Sequence, residues 1–133
     1  MSLLETARRD GRPLALVGGG EATVTVPPDH GRGGRNQQTT LAAFAAVREH
    51  AGGWPDGLLV ASIGTDGEDG PTDAAGGVID ATIAAAIVAS RRDVRLALAR
   101  CDAYPLLDAA GGLVRTGPTG TNVADLRIVL ARP

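Results

Sequence analysis

A chain of 133 residues with a formal net charge of −2 has the size of one domain with one modest core and leaves no room for two folded units. Hydrophobic residues make up 44% of it but aromatic residues only 2%, so the interior is built from Ala, Val, Leu and Ile. The few rings and the lack of a basic run exclude a nucleic-acid binder, which needs stacking platforms and a positive footprint.

Every basic side chain is an arginine, which removes Schiff-base and P-loop lysines from the chemistry available. Cys101 is alone, so no internal disulfide forms; the chain reads as cytoplasmic, with the thiol as a small buried hydrophobe. Residues 1–12 read as an N-terminal extension or cloning remnant ahead of a domain over 13–133, and their charges do not suit a signal peptide. The most apolar segment, residues 76–90, is broken by Asp80 and is too short to span a bilayer.

In chain order, residues 13–17 (PLALV) and 22–26 (ATVTV) are β-type runs flanking Gly18, Gly19, Gly20 and Glu21, the pattern of a hairpin. After a loop, Leu41, Phe44, Ala45 and Val47 recur at helical spacing from Asn36 to about His50, where Gly52, Gly53 and Pro55 stop the helix. Residues 58–63 (LLVASI) form a short continuous apolar run, the mark of a strand buried on both faces. Residues 76–80 fit either a short strand or the start of the Ala-rich helix that runs to about Ser90. Two short helices follow at 94–100 and 103–110, with Pro105 in a first turn, and residues 125–131 (DLRIVLA) close as a strand. Hairpin, crossover helices and a final strand together predict an α/β single domain, a mixed β-sheet covered by α-helices.

Four loops carry polar residues suited to chemistry. Gly31 to Gln37 (GRGGRNQ) opens a helix, where free amides and the positive dipole end attract anions and Arg32 and Arg35 add forked donors; a solvated glycine loop fits the same residues. Asp66, Asp69 and Asp73 follow the apolar strand and suit either a divalent cation and a substrate hydroxyl or ordinary turns and a helix cap. Their spacing is not that of an EF-hand. Thr119, Thr121 and Asn122 lie in a turn that lacks the lysine and spacing of a phosphate loop, leaving a small anion nest or a structural turn. Gly18 to Gly20 fail the dinucleotide fingerprint, because Thr23 stands where a third glycine belongs; Glu21 beside them is a hydroxyl ligand or a solvated charge. His30 and His50 read as surface residues.

Taken in order, GGGEATVTV, GRGGRNQ, SIGTDGEDGPTDAAGGVID and TGPTGTNVADL resemble the MOFRL domain, the C-terminal portion of the type II glycerate kinases, a family often labelled hydroxypyruvate reductase. The resemblance covers nearly everything after Pro13. It implies an ATP-dependent phosphotransferase acting on the 2-hydroxyl of D-glycerate, with Mg2+, in the cleft between this domain and a larger N-terminal nucleotide-binding domain. By motif it implies Arg32 or Arg35 as the catalytic cation, with Glu21, Asn36, Thr65, Asp66, Asp69, Asp73, Thr119, Thr121 and Asn122 lining the substrate pocket and Asp66 and Asp69 as metal ligands. The chain departs at Gln38, where the family carries an acid. The alternative is a free-standing module that binds a small anion or hydroxy acid without transforming it; no nicotinamide fingerprint supports a reductase.

Overall fold

The computed structural model describes residues 2–133, so the first residue of the 1–12 segment lies outside it. The elements are α1 (Leu3–Asp10), β1 (Leu14–Gly20), α2 (Arg35–Ala51), β2 (Leu58–Gly64), β3 (Gly76–Ile79), α3 (Ala81–Ala89), α4 (Val94–Ala99), α5 (Ala103–Ala110), β4 (Leu113–Val114) and β5 (Asp125–Ala131). No helix among the described residues is long and apolar enough to cross a membrane.

The expected α/β domain forms, but all its ladders are antiparallel where a mixture was expected; the strand order is β1-β5-β2-β3-β4. The reason lies in β5. The crossover through α2 sets β1 and β2 in the same sense, and β5 fills the slot between them, antiparallel to both. The hairpin is also overturned. β1 continues through Gly18, Gly19 and Gly20 as ladder, pairing from Leu14 with Ala131 to Gly20 with Asp125, and residues 22–26 belong to no strand. Strand propensity in ATVTV loses to the longer partner available in β5.

Register fixes the faces, because opposed residues point to the same side. Val60 and Ser62 of β2 share a side with Val129 and Arg127 of β5 and with Ile79 and Gly77 of β3. This is the α2 side: the Ser62 hydroxyl donates to Asn36 Oδ1 at 2.7 Å, and a Cβ on Gly77 would meet Leu107 at 3.1 Å and Thr40 at 3.2 Å. The main core gathers Leu41 and Phe44 of α2, Ile79 of β3, Ile87 of α3 and Leu106 and Leu107 of α5; burying each large side chain contributes roughly 1.5–3 kcal/mol. Trp54 stacks on Phe44 with centroids 6.0 Å apart. A smaller cluster joins Leu4 and Ala7 of α1 to Ala131 and Leu14.

Caps define the helix ends. Ser2 and Glu5 close α1 in a reciprocal capping box, Asp80 accepts from the Ile83 amide at 2.9 Å and Asp93 from the Leu96 amide at 3.0 Å. Residues 76–80 therefore divide between strand and cap. Gly52 ends α2 at φ 72°, a conformation that favours glycine.

Candidate functional site

The C-terminal ends of β1 and β2, the N-terminal ends of β3 and β5 and the start of α2 meet at one end of the sheet. Each of the four loops reaches another there. Arg35 donates from Nε to Asp125 Oδ2 at 2.8 Å and from Nη2 to Asp125 Oδ1 at 3.0 Å, and Nη2 also lies 3.0 Å from Glu21 Oε1. This ties β1, α2 and β5 together. The Asp125 hydrogen bond, opposed by desolvation, leads the interactions that hold the Arg35 guanidinium above its ordinary pKa. Burial pushes the Asp125 carboxyl upward, but the hydrogen bonds from Arg35 and Asn36 outweigh it and leave it below the usual carboxylate value.

The first turn of α2 has no side-chain cap of its own, because Gly34 stands at its N-cap. Asp69, only 2% exposed, fills that role from another loop. Its Oδ1 accepts from the Asn36 amide at 2.9 Å and from Asn36 Nδ2 at 3.1 Å, and its Oδ2 accepts from the Gln37 amide at 2.9 Å. The helix N-terminus expected to receive a substrate anion is thus occupied by a carboxylate of the chain itself. Asn36, 1% exposed, also donates to Asp125 Oδ1 at 3.1 Å and is a bracing residue. Gly70, at φ 60°, lets this loop pass against Gly33 and Gly34, where a side chain has no room.

Arg32 differs. Its amide donates to Asp102 Oδ1 at 2.8 Å, its guanidinium lies 3.9 Å from the centroid of the Tyr104 ring, and among the described residues it makes no ion pair. Beneath it Tyr104 donates its hydroxyl to Asp73 Oδ1 at 2.7 Å, while Arg115 bridges Asp73 at 3.0 Å and Asp108 at 2.9 Å. The Tyr104 hydrogen bond, then that of Arg115, lowers the exposed Asp73 carboxyl.

The remaining expected residues form a second lattice. Thr65 donates its hydroxyl to Ala124 O at 2.6 Å and accepts the Val123 amide at 2.8 Å. The Thr119 amide donates to Asp66 O at 3.1 Å, and the Thr119 hydroxyl to Thr65 O. Asp66 Oδ1 accepts the Glu68 amide at 3.0 Å, and Asn122 Oδ1 accepts the Ala124 amide at 3.0 Å. Thr121 and Asn122 are exposed.

The metal expectation does not fit. Asp69 spends both oxygens on amides, Asp66 sits in a turn of its own, and no group of three or more His, Cys, Asp or Glu among the described residues is arranged to hold a metal ion. Gln38, where the resemblance led to the expectation of an acid, donates Nε2 to Leu98 O at 2.6 Å, a bond no carboxylate makes. Cys101 is half-buried at φ 52°, not fully enclosed as expected. A hollow of about 390 Å³ borders this end between residues 22–26 and Gly33, Gly34, Arg35 and Gln38. A larger one, about 570 Å³, lies at the far end of the sheet around Leu14, Leu58 and Ala131, away from these loops.

Asp125, Asp102, Tyr104 and Arg115 were missed. A single chain gives no signal for partners such as Tyr104 and Asp73, 31 residues apart, Arg32 and Asp102, 70 apart, or Arg35 and Asp125, 90 apart.

The MOFRL family pattern matches residues 14–125. The D-glycerate 2-kinase of Thermotoga maritima is 45% identical over 119 residues, covering 90% of this chain and 27% of that protein. The human glycerate kinase is 40% identical over 136 residues, covering 98% of this chain and 25% of its own length. The crystal structure of the Thermotoga maritima glycerate kinase superposes with a TM-score of 0.81 at 42% identity, over 97% of this chain and 31% of that one. The chain therefore spans between a quarter and a third of the length of these relatives.

Proposed function

The chain belongs to the MOFRL family, and on that premise we propose that it supplies the smaller wall of the active site of a cytoplasmic, ATP-dependent glycerate 2-kinase, with residues 13–133 as the domain and the nucleotide held by a larger partner domain. The observation that carries this is Arg32. It combines an unpaired guanidinium with a fixed backbone and an aromatic ring beneath it, whereas Arg35 is neutralised by Asp125 and Glu21. A forked donor poised in this way suits a substrate carboxylate or the transferring phosphoryl group, and phosphoryl transfer depends chiefly on positioning and neutralising charge. The Tyr104 ring steadies it by about 0.5–1 kcal/mol.

Arg35, Asn36 and Asp69 then act as the frame that aims the loop, and the exposed hydroxyl and amide groups of Thr121 and Asn122 are left to orient glycerate. ATP would bring the phosphoryl group; the lysine-free chain offers it no phosphate loop. The test grafts this chain onto the Thermotoga maritima kinase in place of the matching region and measures ATP-dependent phosphorylation of D-glycerate. Arg32→Ala is expected to reduce kcat/KM by roughly 100-fold or more. A folded graft without activity, or one indifferent to Arg32→Ala, sinks the proposal; glycerate binding by the isolated chain with no turnover in the graft would favour a binding module.

A further inference from the structure

Residues 58–63 read as a strand buried on both faces, yet only one face of the sheet is covered. The helix-bearing side is that of Ser62, Gly77 and Ile79. By register, the other side carries Val17, Ile128, Leu130, Leu59, Ile63 and Val78, none of which joins either core cluster. Val17 is 62% exposed and Leu130 38%. An antiparallel sheet that meets water on one face normally carries polar residues there; this one carries apolar residues on the face without helices. Its β1 edge is also open, since β1 is terminal in the strand order, and Leu16 on the other side of the same strand is 62% exposed. An open strand edge beside a partly exposed apolar face that no helix covers marks a surface built to be covered.

We infer that this face, with the open β1 edge, is where the larger domain of a two-domain glycerate kinase seats, through apolar side chains and main-chain pairing to β1. The inference rests on the proposed function and deepens it by naming the contact surface. Two observations favour this occupant over a second copy of the chain. In each relative above, the matching region is at most 31% of the molecule, so in each of them a larger body accompanies this fold. And the bare strand runs without a break into Glu21, which touches Arg35, so a body seated on β1 borders the loops that need a second wall.

The test compares hydrogen exchange in the isolated chain and in the graft with the Thermotoga maritima kinase. The β1 amides facing away from β5 should exchange freely in isolation and at least roughly tenfold more slowly in the graft. Val17→Asp should leave the melting temperature of the isolated chain unchanged and lower that of the graft; Val88→Asp, at another exposed valine (49%) on α3, should be silent in both. Unprotected β1 amides and a silent Val17→Asp in an active graft overturn the surface and leave the kinase reading standing. Protected amides in an inactive graft do the reverse. If the graft does not fold, sedimentation of the isolated chain decides: a monomer that binds a hydrophobic dye, less so as Val17→Asp, supports the surface, whereas a stable dimer abolished by Val17→Asp assigns it to a second copy and overturns the inference.

Discussion

Replacing Asp69 by asparagine should cost this domain far more than a loop substitution of the same size elsewhere. The carboxylate accepts two backbone amides of the first turn of α2 and the Asn36 side chain, at 2.9 to 3.1 Å, and Asn36 and Gln37 are 1% and 0% exposed, so water cannot take over. Asparagine keeps one acceptor for Asn36 but turns an NH2 group toward the Gln37 amide, donor against donor. One buried amide left unsatisfied costs about 1–3 kcal/mol, and loss of the negative charge at a helix N-terminus adds about 0.3–1 kcal/mol. Asp69→Asn should therefore lose about 2–3 kcal/mol, and Asp69→Ala, which strands both amides, about 4 kcal/mol, a large part of the 5–15 kcal/mol or so that holds such a domain folded. Asp66→Asn is the control, since its one side-chain bond lies in an exposed turn, and should stay within about 0.5 kcal/mol. Urea denaturation followed by far-ultraviolet circular dichroism measures all three. Asp69→Asn within 0.5 kcal/mol or so of the parent refutes the cross-loop cap.

Arg35→Ala should destabilise the chain by about 3 kcal/mol, because it leaves the almost fully buried Asp125 carboxylate unpaired, while Arg32→Ala should change stability by less than about 1 kcal/mol; the same urea titration separates them, and equal effects contradict the division of labour. Asp125 has a folded-state pKa below its ordinary value, so its contribution is fully present above the unfolded value of about 4 and is lost as pH falls through the lower folded one. Acid titration of stability below about pH 4 should accordingly be shallower in Asp125→Asn, and an unchanged slope removes the linkage. Gly34→Ala drives a methyl group into the Asp69 carboxylate and should leave little folded protein on size exclusion, whereas Gly18→Ala, with open space at its Cβ, should melt within a few degrees of the parent.

The helices α2, α4 and α5 and the strands β2 and β5 were legible because each announces itself locally, by apolar spacing ended by Gly52 or by a run such as LLVASI. The hairpin failed for the opposite reason. Whether Gly18 to Gly20 turn or extend depends on β5, more than a hundred residues later, which lies alongside them as ladder. The site divides in the same way. Loop chemistry, helix start and strand end put Arg35, Asp66 and Asp69 among the candidates, the family resemblance added Asn36, and the structure does bring their loops to one end. What spacing could not reveal was pairing, so a carboxylate read as a metal ligand is a helix cap and one of two arginines read as anion receptors is already neutralised.

That division explains the glycines of GRGGRNQ. Gly34 is needed less for freedom than for absence, since Asp69 passes through the volume its side chain would fill, while a side chain on Gly33 would press on the backbone of Cys101 and Ala103. The close approach lets Asp69 reach the α2 amides, and α2 in turn holds Asn36 and Arg35 against Asp125. With the charges of α2, Asp69 and Asp125 satisfied among themselves, Arg32 is the cation of that motif left over. An arginine without a carboxylate, set on a ring at the rim of a rigid frame, keeps its full charge for something that arrives from outside. A frame that consumed both arginines would be stable and inert; one that neutralises Arg35 and spares Arg32 can be rigid and still bind an anion.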